Sequence, residues 1–337
     1  MEFALSFGES FLGQLRSPTL AFLLGGMALA ATGSRLSVPD AIYRFIVFML
    51  LMSIGLEGGM EIREADLSKL ALPAVFAALT GCGCVLIGLV SLIRLPGIQR
   101  SDALATAGLF GAVSASTLAA AMIVLDQQEI TFEAWAPALY PFMDIPALVL
   151  AIVLARMGKK ASDDTSPKTT NSVSIRSVVV DSLQGSALSA LILGLVLGIV
   201  AEPASVHEEF YEPLFRGFLS ILMLVMGMEA WSRLAELRRV AHWYLLYAMV
   251  APVLHGMIGF GLGWVAHETV GFSPGGVVIL AVIAASNSDI SGPPTLRAGI
   301  PSANPAAYIG SSTSVGTPVA IAVCIPLFIA LAELVFV

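Results

Sequence analysis

The sequence predicts an all-α polytopic membrane protein, with ten transmembrane helices arranged as a 5+5 inverted repeat in which two interrupted helices cross near the bilayer midplane. Three observations carry this expectation. Hydrophobic residues make up 57% of the 337 and charged residues 12%, with a mean hydropathy of +0.88, which leaves too few charges to cover a soluble fold. Reading the chain for runs of about 20 mostly apolar residues yields ten such segments. Finally, the offset of 172 that carries Ser114 to Ser286 also carries Ser116 to Ser288, Thr117 to Asp289, Gly55-Leu56-Glu57 to Gly227-Met228-Glu229, Pro146 to Pro318 and Gly26 to Gly198. Similarity at one fixed offset over most of both halves marks an internal repeat.

In chain order the segments fall at about 17–36, 41–60, 69–93, 103–125, 135–157, 177–201, 212–232, 241–266, 274–299 and 304–334. Residues 1–157 hold the first five and 177–337 the second five. Residues 158–176 form the one strongly polar stretch, with Lys159, Asp163, Asp164, Lys168 and Arg176 among Ser, Thr and Asn, and read as a mobile cytoplasmic linker. Five crossings per half make the second copy enter the membrane from the opposite side, so the halves are related by inversion. Of the 17 Lys and Arg, 13 fall in the odd-numbered loops, from Arg35 and Arg44 to Arg238, Arg239 and Arg297. Acidic residues, among them Glu61, Glu64, Asp126, Glu208, Glu209 and Glu212, collect on the other side. The asymmetry puts the odd loops in the cytoplasm and both termini outside.

The same composition argues against several function classes. No basic stripe exists, so nucleic acid is not an expected partner. Cys82, Cys84 and Cys324 lie in apolar runs without zinc-type spacing and read as packing residues. Glu2 and Glu9 without a basic n-region give nothing that resembles a cleaved signal peptide. No organic cofactor is expected.

Inside hydrocarbon a helix is broken only where protein or a water-filled cavity satisfies the freed backbone groups. In the second half, Ser291-Gly292 can cap a new half-helix, with Pro293-Pro294 in its first turn, where their missing N–H groups cost nothing. In the first half, Ser114-Ala115-Ser116-Thr117 is compatible with a continuous helix, and the repeat is what argues for a break. Converging half-helix N-termini suit a small anion. Carbonyls around Ala112–Val113 and Ala284–Ala285, with Ser and Thr hydroxyls and the Asp289 carboxylate, offer hard oxygen ligands for sodium. The plainer reading makes the serines small residues that allow close helix contact. Asp289 stands out because an ionised carboxylate at membrane depth costs ~2.5–3.5 kcal/mol and survives where it pairs or binds ions. Asp144, in Tyr140-Pro-Phe-Met-Asp-Ile-Pro146, is the second such residue, facing Ser314-Val-Gly-Thr-Pro318 across the repeat; either Asp also fits as a structural acceptor. Glu57 and Glu229 lie near helix ends and read as interfacial. His255 is expected to bond a carbonyl freed by Pro252.

Several long motifs resemble the SbtA-type sodium-dependent bicarbonate transporters of cyanobacteria: Ser17-Pro-Thr-Leu-Ala-Phe22, Ile46-Val-Phe-Met-Leu-Leu51, Gly108-Leu-Phe-Gly-Ala-Val-Ser114, Ala138-Leu-Tyr-Pro-Phe-Met-Asp-Ile-Pro-Ala147 and the run from Ser286 to Pro305. The resemblance implies a homotrimer in the plasma (inner) membrane, a role in concentrating inorganic carbon, and a cytoplasmic PII-like regulatory protein that binds adenine nucleotides. It also implies bicarbonate and sodium between the interrupted helices. The candidate substrate set is Ser114, Ala115, Ser116, Thr117, Ser286, Asn287 and Ser288. The candidate sodium set is Asp289, Ser116, Thr117, Ser288, Ser291 and Asp144. Three hydroxyls belong to both. Where the resemblance leads one to expect glycine between the first serines, this chain has Ala115, which narrows the backbone choices at the break.

Three other readings compete, one of them a nontransporting membrane receptor for the cytoplasmic partner, which would not need a polar midplane. A sodium symporter for another small anion fits the same helix ends. Intramembrane proteolysis fits poorly, because neither Asp144 nor Asp289 sits in Gly-x-Gly-Asp, no serine-nucleophile motif lies near His255, and catalysis would not need two matched breaks.

Overall fold

A computed structural model describes residues 18–64, 67–133, 135–160, 180, 184, 186–201, 203–237, 242–288 and 292–336. The linker expected at 158–176 lies outside them beyond Lys160. Among the described residues the fold is helical throughout: α1 (Pro18–Ala31), α2 (Asp40–Glu64), α3 (Leu67–Leu92), α4 (Arg100–Gly111), α5 (Ala115–Gln127), α6 (Leu139–Lys160), α7 (Ser186–Val200), α8 (Glu212–Leu237), α9 (His242–Val270), α10 (Pro274–Ala285), α11 (Gly292–Gly299) and α12 (Pro305–Phe336). Among the described residues seven spans are long and apolar enough to cross a membrane, one of them Arg100–Gln127, which α4 and α5 make up with the break between them; Ala21–Ala31, Ser189–Val200 and Pro274–Ala285 are shorter apolar helices. The segment expected at 103–125 divides into α4 and α5, and that at 274–299 into α10 and α11.

Burial follows from this division. Every residue from Ala103 to Leu125 and from Gly275 to Ser288 is buried, so the two broken segments form the interior of the bundle. α3 and α6 enclose α4, while α9 and the end of α12 enclose α10. The outer helices turn large apolar side chains away from the protein: Val75, Leu79 and Val90 on α3, and Leu246, Met249 and Leu254 on α9. A membrane protein meets lipid with such a face.

Away from the breaks, α1 packs on α8 and α2 on α7 at backbone distance. A Cβ on Gly26 would stand 2.1 Å from the Leu224 carbonyl oxygen, and one on Gly227 2.0 Å from that of Leu23. Likewise a Cβ on Gly55 would lie 2.5 Å from the Leu191 oxygen, and one on Gly198 2.4 Å from that of Leu56. The offset of 172 pairs Gly26 with Gly198 and Gly55 with Gly227, so it exchanges the two contacts.

Two carboxylates tie helix starts together across the halves. Ser273, the N-cap of α10, donates its N–H (2.8 Å) and hydroxyl (2.7 Å) to Glu133 and accepts the Gly276 N–H. Asn304, the N-cap of α12, donates its N–H to Asp102 at 2.8 Å and accepts from Ala306. Pro274 and Pro305 occupy the first turns, where a missing N–H costs nothing.

The glycine contacts make a direct test. Gly26→Ala or Gly227→Ala is expected to lower stability by at least about 1–3 kcal/mol, because the methyl meets backbone that cannot move aside. Gly25→Ala, with nothing within 4 Å of its Cβ, should leave thermal unfolding in detergent unchanged or slightly raised.

Candidate functional site

The first break occupies residues 112–114. Ala112 leaves the helix at φ −92°, ψ 165°, its N–H still on the Gly108 oxygen. Ser114, at φ −95°, ψ 120°, is the N-cap of α5, its hydroxyl accepting the Thr117 N–H at 3.2 Å. The serine therefore starts the new helix, as N-cap chemistry favours. Ala115 is the first helical residue and keeps negative φ, so alanine sits there without strain.

The backbone groups freed by the break find partners on other elements. The Val113 N–H donates to Asp144 Oδ1 of α6 (3.0 Å), and the Ser114 N–H to Ser286 Oγ (3.0 Å). The Leu109 oxygen accepts the Ser288 N–H at 2.9 Å. The Phe110 oxygen accepts from His255 Nδ1 at 3.1 Å, which places the hydrogen on that nitrogen. His255 thus serves a freed carbonyl, but one released by the break in α4 rather than by Pro252, because the carbonyl left without its helical partner is the one that needs a donor.

The second break begins at Ser286, extended at φ −75°, ψ 178°. Its hydroxyl donates to the Ile283 oxygen at 2.7 Å while accepting from Ser114. Ser288 Oγ accepts the Gly292 N–H at 2.8 Å and so serves the start of α11, whose first turn holds Pro293 and Pro294. Asp289, expected as a cation ligand, and Ser291, expected as a cap and ligand, lie outside the described residues.

The described candidates thus meet at one crossing. Ser114, Ser116, Thr117, Asp144, Ser286, Asn287 and Ser288 are all at most 1% exposed. Their hydrogen-bonding capacity divides unequally. Ser286 spends its one donor on Ile283 and an acceptor position on Ser114; Ser114 accepts from Thr117 and shares a 2.8 Å contact with Ser116 Oγ. These hydroxyls chiefly hold the break together. Thr117 Oγ1 and Asn287 Nδ2, by contrast, are buried without a hydrogen-bond partner. A buried polar atom left so costs roughly 1–3 kcal/mol, and these two atoms, with His255 Nε2 and Ser314 Oγ nearby, keep unused hydrogen-bonding capacity.

Two further residues join the site from α12. Ser312 Oγ and Thr317 Oγ1 both donate to Asn287 Oδ1, the latter at 2.9 Å. The run Ser311-Ser312-Thr313-Ser314 in an apolar helix was the available signal. Near the far end of α5 lies a cavity of about 350 Å³, lined by Glu57 of α2, Met122 and Asp126 of α5, His207, and Glu212 and Arg216 of α8. Its exposed Arg216–Asp126 pair (2.9 Å) contributes at most about 1 kcal/mol. Its carboxylates belong to the side that the charge count assigns to the exterior.

The family model of the Na+-dependent bicarbonate transporter superfamily matches residues 18–333, which includes both breaks. No curated protein matches the chain.

Ser286→Ala removes the acceptor of the Ser114 N–H and leaves that donor buried. The expected result is a loss of about 1–3 kcal/mol in unfolding stability and faster amide exchange at Ser114, read by thermal denaturation and mass spectrometry.

Proposed function

The chain belongs to the Na+-dependent bicarbonate transporter superfamily, and from that membership we propose that it is a secondary transporter coupling sodium entry to bicarbonate uptake across the plasma (inner) membrane. The observation that carries the reading is the contact of Ser114 with Ser286, where two broken helices meet in a buried, hydroxyl-rich crossing. Bicarbonate is assigned to the α5 and α11 N-termini with Ser114, Ala115, Ser116, Thr117, Ser286, Asn287 and Ser288. Sodium is assigned to the carbonyl ends with Asp289, Ser116, Thr117, Ser288, Ser291 and Asp144. The arrangement needs no Arg or Lys for the anion, since helix N-termini supply N–H groups and partial positive charge.

Coupling has an electrical reason. Against an inside-negative potential each bicarbonate entering alone opposes ~2.3 kcal/mol per 100 mV. One sodium neutralises the pair and adds its own gradient. Adjacent opposite charges also raise each other's affinity by one common factor.

The architecture proposed is a ten-helix 5+5 inverted repeat, residues 1–157 and 177–337 joined by the 158–176 linker, with both termini outside. The exchange of the α1–α8 and α2–α7 contacts under one offset supports it. A homotrimer, a part in concentrating inorganic carbon, and a PII-like regulator docked on the basic cytoplasmic face are proposed from the family resemblance. Steering by that positive face supports the last of these.

Uptake of labelled bicarbonate into vesicles should require sodium and resist competition by nitrate and small carboxylates; effective competition would point to another anion. Asp289→Ala is expected to abolish the sodium dependence while folded protein persists, and unchanged dependence would remove Asp289 from the site. Titration of purified protein with each ion, with and without the other, should give equal affinity gains in both directions.

A further inference from the structure

The last helix contains a π-helical turn, Ser312–Gly316, in which the Thr317 N–H bonds the Ser312 oxygen five residues back. In an α-helix, residues five apart point about 140° away from each other. The wider turn brings them to one face. Ser312 and Thr317 use that face to donate two hydroxyls to a single atom, Asn287 Oδ1.

A carboxamide oxygen has two lone pairs, and both are taken. The amide plane is therefore fixed, and with it the direction of its NH2 group. Nδ2 is fully buried and lacks a partner. It lies against Gly316 and the Phe110 ring at the end of α4: a Cβ on Gly316 would come within 2.8 Å of Nδ2 and of the Phe110 ring carbons. Two N–H donors held in place at a helix break, with no acceptor, suit an oxyanion; a cation would meet them unfavourably.

We propose that Ser312 and Thr317 are positioning residues that lock the Asn287 side chain with its NH2 group toward the anion, so that the π-turn of α12 sets bicarbonate affinity. The inference rests on the transport reading above and assigns to this pair of hydroxyls a role in recognising the anion rather than sodium. Gly316 belongs to the same device, since a side chain there would displace the amide.

The test is sodium-driven uptake of labelled bicarbonate by the full-length chain in vesicles, with half-saturating concentrations measured separately for each ion. Ser312→Ala/Thr317→Val should raise KM for bicarbonate about tenfold, with a much smaller change in maximal rate and in the sodium requirement. Thr317→Ser keeps the hydroxyl and should retain wild-type values. Asn287→Asp keeps the acceptor for both hydroxyls but turns an anionic oxygen toward the substrate, and should raise KM for bicarbonate at least as much. If the double variant does not reach the membrane, Ser312→Ala and Thr317→Val alone read the same quantity. Unchanged bicarbonate KM in the hydroxyl variants, or an Asn287→Asp effect confined to sodium, overturns the inference while leaving the transport reading intact. A wild-type chain that takes up no bicarbonate overturns both.

Discussion

The constraint on which this structure depends is the need to satisfy backbone groups where a helix is broken away from water. Around the first break, the freed N–H groups of Val113 and Ser114 and the freed carbonyls of Leu109 and Phe110 are met by Asp144 from α6, His255 from α9, and Ser286 and Ser288 from the second break. The four partners come from three separate stretches of chain, and all are buried. The interior position of α4, α5 and α10 follows, because only a segment surrounded by other helices can collect so many distant donors and acceptors.

The same requirement limits what the crossing offers a ligand. Ser114 and Ser286 look like ion ligands by residue type, yet their hydroxyls are largely occupied in closing the breaks. Capacity is left on Thr117 Oγ1 and on the amide nitrogen of Asn287. Asp144, a carboxylate at membrane depth, is partly occupied as well, since one oxygen takes the Val113 N–H. A polar residue in a membrane core therefore needs a count of its remaining lone pairs and hydrogens before a role is assigned to it.

Helix positions were legible in the sequence because the apolar length needed to cross a bilayer is a strong constraint. The expected 69–93 and 241–266 correspond to Leu67–Leu92 and His242–Val270. The first break was legible only through the repeat, since Ser114-Ala115-Ser116-Thr117 carries no proline or glycine, and it ends at Ser114, the first residue of that cluster. Long-range partners were legible in part: the repeat paired Ser114 with Ser286, and Pro252 marked His255 as a donor to a freed carbonyl, but nothing local marked that carbonyl as Phe110, 145 residues away. Nor was the Ser312–Gly316 π-turn read from the sequence, although Pro318, which has no N–H for the carbonyl four residues back, lies just beyond it.

The Phe110–His255 and Ser114–Ser286 bonds also bear on biosynthesis. When residues 103–125 first enter the lipid, three of the four groups that close their break, His255, Ser286 and Ser288, lie far ahead in the chain. For that interval a continuous helix satisfies the backbone best, and the serines can bond back to their own turn. At roughly 5–20 residues per second, the 145 residues to His255 take roughly 7 to 29 s. Closing the break is then completed only when the second half of the chain has been made.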